Sequence, residues 1–265
     1  MCRLFGYLGP AVTLDTLLYA PEHSLERQAF APRHQVVGRI NADGWGVGWY
    51  DPSIRPEPAR YRTATPIWAD QRFKDIAPLV RAGVVVGAVR NASPGAPVEE
   101  TGSSPFVAGP YLFTHNGFVS GFREGLGVQL RRGLSERRDA GILGAADSEV
   151  VFAMVLDRLD KGLPMVDAVG EVTAELLDLT TGCFNFLLTD GDTIVATRVG
   201  NSLFGVAHDR ATGSGTAGTS DTSGASGASV VIASEPWDDD TGWAEVPDRS
   251  LLVARVDGTF TRTAL

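Results

Sequence analysis

The 265-residue sequence is poor in cysteine and histidine, with only Cys2, Cys183 and four histidines. The histidines are scattered, and no close group of cysteines and histidines is present. This argues against a structural zinc site, whose ligands usually come from closely spaced pairs of these residues. Two cysteines allow a disulfide in principle, but free thiols are favoured in an acidic chain without a signal-peptide pattern.

Long apolar runs and an excess of basic residues are also missing. No uninterrupted apolar segment approaches the roughly 20 residues of a membrane-spanning helix, and no long apolar stretch follows Arg3 as in a signal peptide. Acidic residues outnumber basic ones, 32 to 23, which gives a net charge of −9 and argues against nucleic-acid partners. We therefore expect a soluble cytoplasmic protein with no nucleic-acid or membrane partner and with room for a cationic or zwitterionic ligand.

The pattern of apolar and turn residues predicts pairs of strands on either side of a central pair of helices. Continuous or alternating apolar runs indicate strands, and apolar residues at helical spacing indicate helices. The predictions are strands at 83–90, 111–114 and 230–233, helices at 150–159 and 165–177, and hairpins at 184–197 and 251–263. We expect a single domain, residues 1–265, in which sheets are covered by helices.

Residues 211–229 differ from the rest of the chain. They consist of Gly, Ser, Thr and Ala with one charge, Asp221. Such a composition buries too little apolar surface to offset its ordering entropy. We interpret this segment as a flexible surface insertion between strands.

Cys2 becomes an N-terminal cysteine if Met1 is removed, and methionine aminopeptidases accept small second residues. One residue would then carry both a thiol nucleophile and an α-amine whose pKa suits a base. Position alone does not establish this role, because most second-position cysteines have none. The rest of the chain has to support it.

Two further segments carry an aromatic turn and an arginine. Residues 41–49 are rich in glycine and tryptophan and, taken alone, predict a glycine-containing turn into a strand. Arg90 ends the predicted strand at 83–90, and Ser93 follows it closely. An arginine there usually just reaches solvent, but its planar guanidinium also suits a carboxylate.

Two polar segments allow both a structural and a chemical interpretation. Asn116-Gly117 is first of all a turn signal. It could instead form an oxyanion hole from the Asn116 amide and the Gly117 backbone N–H. Asp147 or Ser148 could cap the helix that follows, and the Asp147 carboxylate could also hold an ammonium group.

Together and in this order, these residues strongly resemble the class II glutamine amidotransferases of the N-terminal nucleophile hydrolase superfamily. The resemblance implies that Cys2 is the nucleophile and that Asn116 and Gly117 are the oxyanion donors. It places Arg90 where the family binds the glutamine α-carboxylate and Asp147 where it binds the α-amine. The implied fold is α+β, a four-layer α-β-β-α sandwich.

The resemblance also concerns the residues next to these. Ser93 replaces the threonine often found after the arginine and keeps its hydroxyl. The turn with Trp45 corresponds to the family's Asp-Gly turn, so Trp45 is expected beside the substrate. Asn41-Ala42 stands where Arg-Gly-Pro usually precedes this turn, which sets the chain apart from the purine- and glucosamine-synthesising branches.

Within the family, four segments resemble the actinobacterial branch that hydrolyses γ-glutamyl-hercynylcysteine sulfoxide in ergothioneine biosynthesis: 1–3, 41–49, 66–70 and 234–240. Leu4 departs from the histidine usual in that branch. The resemblance implies a small-molecule γ-glutamyl substrate and neither a metal nor an organic cofactor. The chain is then either a stand-alone hydrolase or a glutaminase subunit that supplies ammonia to a separate synthase, and a homo-oligomer is compatible with both.

A substrate of that branch carries a trimethylammonium group, which favours aromatic faces and carboxylates. Trp45, Trp237 and Trp243, with the acidic residues 238–240, are therefore candidate contacts for the leaving group. The alternative is that these tryptophans pack in the core or on the surface and that the aspartates form a solvated loop.

Overall fold

A computed structural model of the chain describes residues 2–208 and 227–265. Within these residues lie thirteen strands and seven α-helices. The strands are β1 (Arg3–Thr13), β2 (Trp45–Trp49), β3 (Ala59–Thr63), β4 (Arg81–Val89), β5 (Phe106–Ala108), β6 (Tyr111–Val119), β7 (Gly182–Thr189), β8 (Thr193–Arg198), β9 (Phe204–His208), β10 (Ser229–Ala233), β11 (Ala244–Glu245), β12 (Ser250–Arg255) and β13 (Phe260–Ala264). The helices are α1 (Leu14–Leu18), α2 (Leu25–Phe30), α3 (Gln71–Ile76), α4 (Gly127–Arg132), α5 (Glu136–Ala140), α6 (Asp147–Asp160) and α7 (Met165–Leu179).

The strands form two antiparallel sheets. The first has seven strands in the order β11-β9-β10-β1-β4-β2-β3, and the second has six in the order β13-β12-β8-β7-β6-β5. Strands that are close in sequence often pair directly, as β7 with β8 and β12 with β13. The hairpins expected around residues 190–192 and 257–258 are confirmed.

Three apolar layers separate four layers of secondary structure. Successive side chains of a strand point to opposite faces. In β1, Leu4 packs between the two sheets while Phe5 packs against the helices α1, α2 and α3. In β7, Leu187 lies between the sheets while Phe186 packs against α6 and α7. The fold is therefore an α-β-β-α sandwich, as the family resemblance implies.

Most predicted elements are present with slightly different bounds, but the turn interpretation of Asn116-Gly117 is wrong. Both residues lie inside β6, where Asn116 pairs with Asn185 and Gly117 with Phe184. The predicted insertion at 211–229 falls mostly outside the described residues, and its last residue, Ser229, begins β10. Among the described residues, no helix has the length and apolarity needed to cross a membrane.

Candidate active site

A cavity of about 240 Å³ opens where β1 begins, β4 and β6 end and α6 starts. Its lining includes five residues that the sequence singles out, which are Cys2, Arg90, Ser93, Gly117 and Asp147. The volume lies just below the ~300–1,000 Å³ of pockets for drug-sized ligands. It therefore suits a group of amino-acid size.

Cys2 directly precedes β1 and is half-buried. Its Sγ lies 3.8 Å from the carbonyl oxygen of Asn91, which follows β4. The carbonyl oxygen of Cys2 accepts a hydrogen bond from Arg3 Nε at 2.7 Å. The thiol thus faces the cavity from a backbone that is fixed on its C-terminal side.

Arg90 and Asp147 place opposite charges on the wall of this cavity. Arg90 is only 8% exposed, and its guanidinium donates to the carbonyl oxygens of Pro97 at 3.1 Å and Asp43 at 3.5 Å. Asp147 accepts from the backbone N–H of Val119 at 2.9 Å and of Ser148 at 2.8 Å. Across the described residues, neither charge has a salt-bridge partner, so the pair matches the carboxylate and ammonium of an amino acid.

Asp147 lies at the start of α6 but does not occupy the N-cap position that the sequence suggested. Ala146 occupies the N-cap position and makes no side-chain cap hydrogen bond, while Asp147 is the first helical residue. A carboxylate in the first helical turn interacts favourably with the helix dipole. The Asp147 carboxylate therefore lies where the positive end of the α6 dipole meets the cavity.

The turn at Asp43-Gly44 holds the end of β4 in position. Arg90 N donates to the Gly44 carbonyl at 2.8 Å, and Asp43 N donates to the Arg90 carbonyl at 3.0 Å. Asp43 Oδ2 also accepts from Ala92 N at 2.8 Å. These bonds fix the path that brings Arg90 and Ser93 to the cavity.

Trp45, which the sequence predicts beside the substrate, is not among the residues that line the cavity. Its side chain is fully buried on the helix-facing side of the first sheet, 5.0 Å from the Phe73 ring and 5.4 Å from the Tyr61 ring. Trp237 packs on the same side, with its ring 5.6 Å from Phe5 and 5.9 Å from Trp243. Neither tryptophan of this second pair lines the cavity, so the structure favours core packing over contact with a leaving group.

Of the two predicted oxyanion donors, Gly117 lines the cavity and Asn116 lies fully buried next to it. Asn116 Nδ2 donates to Ser234 Oγ at 3.2 Å, and its backbone and side-chain oxygens accept from Asn201 Nδ2 at 3.0 and 3.3 Å. An amide nitrogen carries two hydrogens, so Nδ2 has donor capacity beyond the bond to Ser234.

Gly117 is required by a close approach of strands. A Cβ at this position would lie 1.7 Å from the carbonyl oxygen of Cys183 and 2.4 Å from His115 Nε2. No residue with a side chain fits at these distances. Gly117 itself is among the residues that line the cavity.

His115 and Ser148 also line the cavity, although the sequence indicates a role in the site for neither residue. His115 Nε2 lies 2.8 Å from the Cys183 carbonyl oxygen, which can only accept, so Nε2 carries the proton. Nδ1 is then an acceptor for the Ser148 hydroxyl at 3.0 Å. Burial lowers the pKa of His115, although the nearby Asp147 charge and the Cys183 carbonyl act in the opposite direction. With His115 neutral, the Ser148 hydroxyl has two acceptors, His115 Nδ1 at 3.0 Å and Asp147 Oδ1 at 3.3 Å, and His115 is the closer one.

An aromatic wall and two further charges complete the lining. The rings are Phe106, Phe118 and Phe122, and the charges are Arg123 and Glu124. These residues come from three separate segments, and no local pattern in the sequence marks them. The described part of the chain contains no group of three or more His, Cys, Asp or Glu side chains placed to hold a metal ion.

The sequence and the fold both match known proteins. The family described as glutamine amidotransferases class-II matches residues 1–264. A γ-glutamyl-hercynylcysteine sulfoxide hydrolase of Mycobacterium tuberculosis (strain CDC 1551 / Oshkosh) is 37% identical over 267 residues, which cover 100% of this chain and 97% of the relative. A probable glutamine amidotransferase of Saccharomyces cerevisiae, DUG3, is 28% identical over 294 residues, which cover 96% of this chain and 82% of the relative.

Among solved structures, a glutamine aminotransferase class-II domain protein from Silicibacter pomeroyi has a TM-score of 0.66 at 23% identity, with 99% of each chain covered. At this identity the similarity shows the shared fold. The family match extends over nearly the whole sequence, and the similarity to the hydrolase covers the whole chain. The chain belongs to the class II glutamine amidotransferases and is an amidohydrolase.

Proposed function

We propose that this enzyme hydrolyses the γ-glutamyl amide bond of γ-glutamyl-hercynylcysteine sulfoxide and releases glutamate and hercynylcysteine sulfoxide. The observation that carries the proposal is the cavity that joins Cys2 to two opposite charges, Arg90 and Asp147, which have no salt-bridge partner in the part of the chain that the structure describes. A hydrolase of that name matches the chain over its full length at 37% identity.

The γ-glutamyl head enters the cavity with its α-carboxylate on Arg90 and its α-ammonium on Asp147. The Ser148 oxygen, whose hydrogen is directed at His115, accepts a second hydrogen bond from the ammonium. The Ser93 hydroxyl, on the same wall as Arg90, supports the carboxylate. Holding the head at both charges brings the γ-carbonyl carbon to the thiol and lowers the entropy cost of the reaction.

Catalysis starts after removal of Met1, when Cys2 carries a free α-amine. The amine takes the thiol proton, and the sulfur attacks the γ-carbonyl carbon. Asn116 and Gly117 donate to the oxyanion that forms, each contributing about 3 kcal/mol to lowering the barrier. The C–N bond then breaks, the amine leaves with the proton held by the Cys2 ammonium, and a γ-glutamyl thioester remains.

Water completes the reaction. The α-amine of Cys2 accepts a proton from the water molecule as its oxygen adds to the thioester carbon. The C–S bond breaks, the sulfur regains a proton, and glutamate leaves. All steps use groups of this chain, the substrate and water.

A second candidate function is a glutaminase subunit that supplies ammonia to a separate synthase. The family match and the similarity to a probable glutamine amidotransferase of yeast support it. The two functions share the head-binding cavity and differ in the amine that leaves.

Glutamate release from γ-glutamyl-hercynylcysteine sulfoxide and from glutamine separates the two functions. We expect efficient release from the sulfoxide and poor release from glutamine. Equal efficiency on both substrates, or strong glutaminase activity stimulated by a partner synthase, would favour the second candidate.

The nucleophile is tested on the same assay. Cys2→Ala should abolish release while the protein still folds, and Cys183→Ala, the matched control, should retain it. Mass spectrometry of the active enzyme should show a chain without Met1. An active chain that retains Met1 would exclude the terminal amine as the base.

A further inference from the structure

Two buried polar residues after β10, Ser234 and Glu235, join the segments that carry the reaction. Both are fully buried. They stand far from Arg3 and Asn116 in sequence, at separations of up to 232 residues. The proposed chemistry itself uses neither of them.

The Ser234 hydroxyl oxygen lies between β1 and β6. It accepts from the backbone N–H of Leu4 at 3.0 Å and from Asn116 Nδ2 at 3.2 Å. The backbone N–H of Ser234 also donates to the Leu4 carbonyl at 2.9 Å. One oxygen atom thus fixes the distance between the strand that directly follows Cys2 and the side-chain amide of Asn116.

Glu235 holds the same strand through Arg3. Its carboxylate accepts from Arg3 Nη1 at 2.9 Å, His23 Nε2 at 2.7 Å, Arg33 N at 2.6 Å and His34 N at 3.0 Å. Arg3 Nε in turn donates to the Cys2 carbonyl at 2.7 Å. Four donors thus bind this carboxylate and fix Arg3 in place. The hydrogen bond from Arg3 Nε then fixes the carbonyl group of Cys2.

The charge of Glu235 is maintained despite its burial. Burial by itself raises the pKa of this carboxyl, but the hydrogen bonds from His23, Arg33 and His34 and the Arg3 charge outweigh it and lower the pKa to about 2. The anchor is therefore an ion pair between Arg3 and Glu235, both fully buried.

A nucleophile at the chain terminus depends more on such fixed contacts than a nucleophile inside the chain does. Terminal residues are poorly ordered unless they are held in place, and once Met1 is gone no residue precedes Cys2. A misplacement of about 1 Å can lower a rate by a factor of roughly 100. After removal of Met1, Cys2 is held by a single peptide bond, the one to Arg3. The hydrogen bond from Arg3 Nε fixes the carbonyl group of that bond.

We propose that Ser234 and Glu235 are positioning residues that set Cys2 against the oxyanion donor Asn116. This inference rests on the proposed function, since it assigns Cys2 and Asn116 their roles in the reaction. The head-binding residues Arg90 and Asp147 take no part in the network. The network therefore acts on kcat and leaves binding of the γ-glutamyl head unchanged.

The test compares Ser234→Ala and Glu235→Gln by steady-state glutamate release from γ-glutamyl-hercynylcysteine sulfoxide. Each variant should lower kcat about 10- to 100-fold, with KM within about twofold of the wild type. Asp157→Asn is the matched control, because Asp157 is buried and accepts from Ser135 N and Lys161. It should lower the melting temperature and leave kcat unchanged.

A double-mutant cycle shows whether Ser234 acts through Asn116. Asn116→Ala removes the amide that Ser234 holds. Adding Ser234→Ala should then lower kcat by less than about threefold further, whereas two independent sites would show the full additional loss. A full second loss, a raised KM at unchanged kcat, or wild-type kcat in Ser234→Ala would each overturn the inference. Ser234→Ala removes a single oxygen atom and so decides the question even if Glu235→Gln does not fold.

Failure of the inference is distinguishable from failure of the proposed function. If Cys2→Ala retains activity, the proposed nucleophile is wrong. If Cys2→Ala is inactive while Ser234→Ala and Glu235→Gln turn over like the wild type, only the positioning role is wrong.

Discussion

Replacing Gly117 by alanine tests the geometry of the site most directly. The added Cβ would lie 1.7 Å from the Cys183 carbonyl oxygen and 2.4 Å from His115 Nε2. Non-bonded carbon atoms normally stand about 3.5–4.0 Å from their neighbours, so β6 and β7 would have to separate by more than about 1 Å here. Neither obstacle is the end of a flexible side chain, because one is strand backbone and the other a ring hydrogen-bonded at both nitrogens.

The expected cost of Gly117→Ala has two parts. Overpacking of a buried site lowers the free energy of unfolding by about 1–3 kcal/mol, and the distance to backbone puts this variant at the upper end. The same separation moves the Gly117 N–H away from the oxyanion, and loss of one such donor lowers kcat about 100- to 1,000-fold. Urea unfolding followed by tryptophan fluorescence measures the first part, and glutamate release from folded protein measures the second.

Gly170→Ala in α7 is the matched control. A Cβ there meets only Leu251 Cδ1, at 3.6 Å, which is an ordinary contact. Alanine in a helix interior is more stable than glycine by about 0.5–1 kcal/mol, so this variant should unfold at higher urea with unchanged turnover. If Gly117→Ala matches the wild type in both urea midpoint and turnover, the close approach of β6 and β7 does not constrain the site.

Three further predictions concern the cavity and the core. Asp147→Asn removes the charge opposite the α-ammonium. Loss of a charged hydrogen bond costs about 1.5–3 kcal/mol, so kcat/KM should fall about 10- to 100-fold. An unchanged kcat/KM in the glutamate-release assay would exclude Asp147 from binding the γ-glutamyl head. Burial lowers the pKa of His115 below the usual histidine value of about 6.5, so the unfolded state binds the proton more readily and the free energy of unfolding should decrease as pH falls below about 6.5. Denaturant titrations at several pH values should show this component, and His115→Gln should lack it. Trp45→Phe should leave KM within about twofold of the wild type and change only the melting temperature, because Trp45 lies in the core. A large rise in KM would show that Trp45 contributes to substrate binding.

The sequence by itself determined the features that depend on neighbouring residues. The turns at 190–192 and 257–258 follow from residue types that suit tight turns, and α6 and α7 follow from apolar residues at helical spacing. The position of Cys2 behind Met1 and the order of the later motifs carried the resemblance to the family, and that resemblance implied the four-layer fold. These signals are local, or they are patterns held in common with relatives, and neither requires coordinates.

Only the tertiary structure decided which side chains meet. Asn116-Gly117 has the composition of a turn, but pairing with β7 keeps it in a strand. Trp45 follows the turn that holds Arg90, yet its side chain points to the helix-facing side of the sheet, because neighbouring strand residues alternate between faces.

The contacts that orient the site join residues far apart in the chain. His115 reaches Ser148 and Cys183 across 33 and 68 residues, and Arg3 reaches Glu235 across 232. No local pattern specifies such pairs, since they form only when the two sheets and α6 pack together. The sequence therefore indicated the reacting groups, whereas their alignment with one another is a property of the packed sandwich.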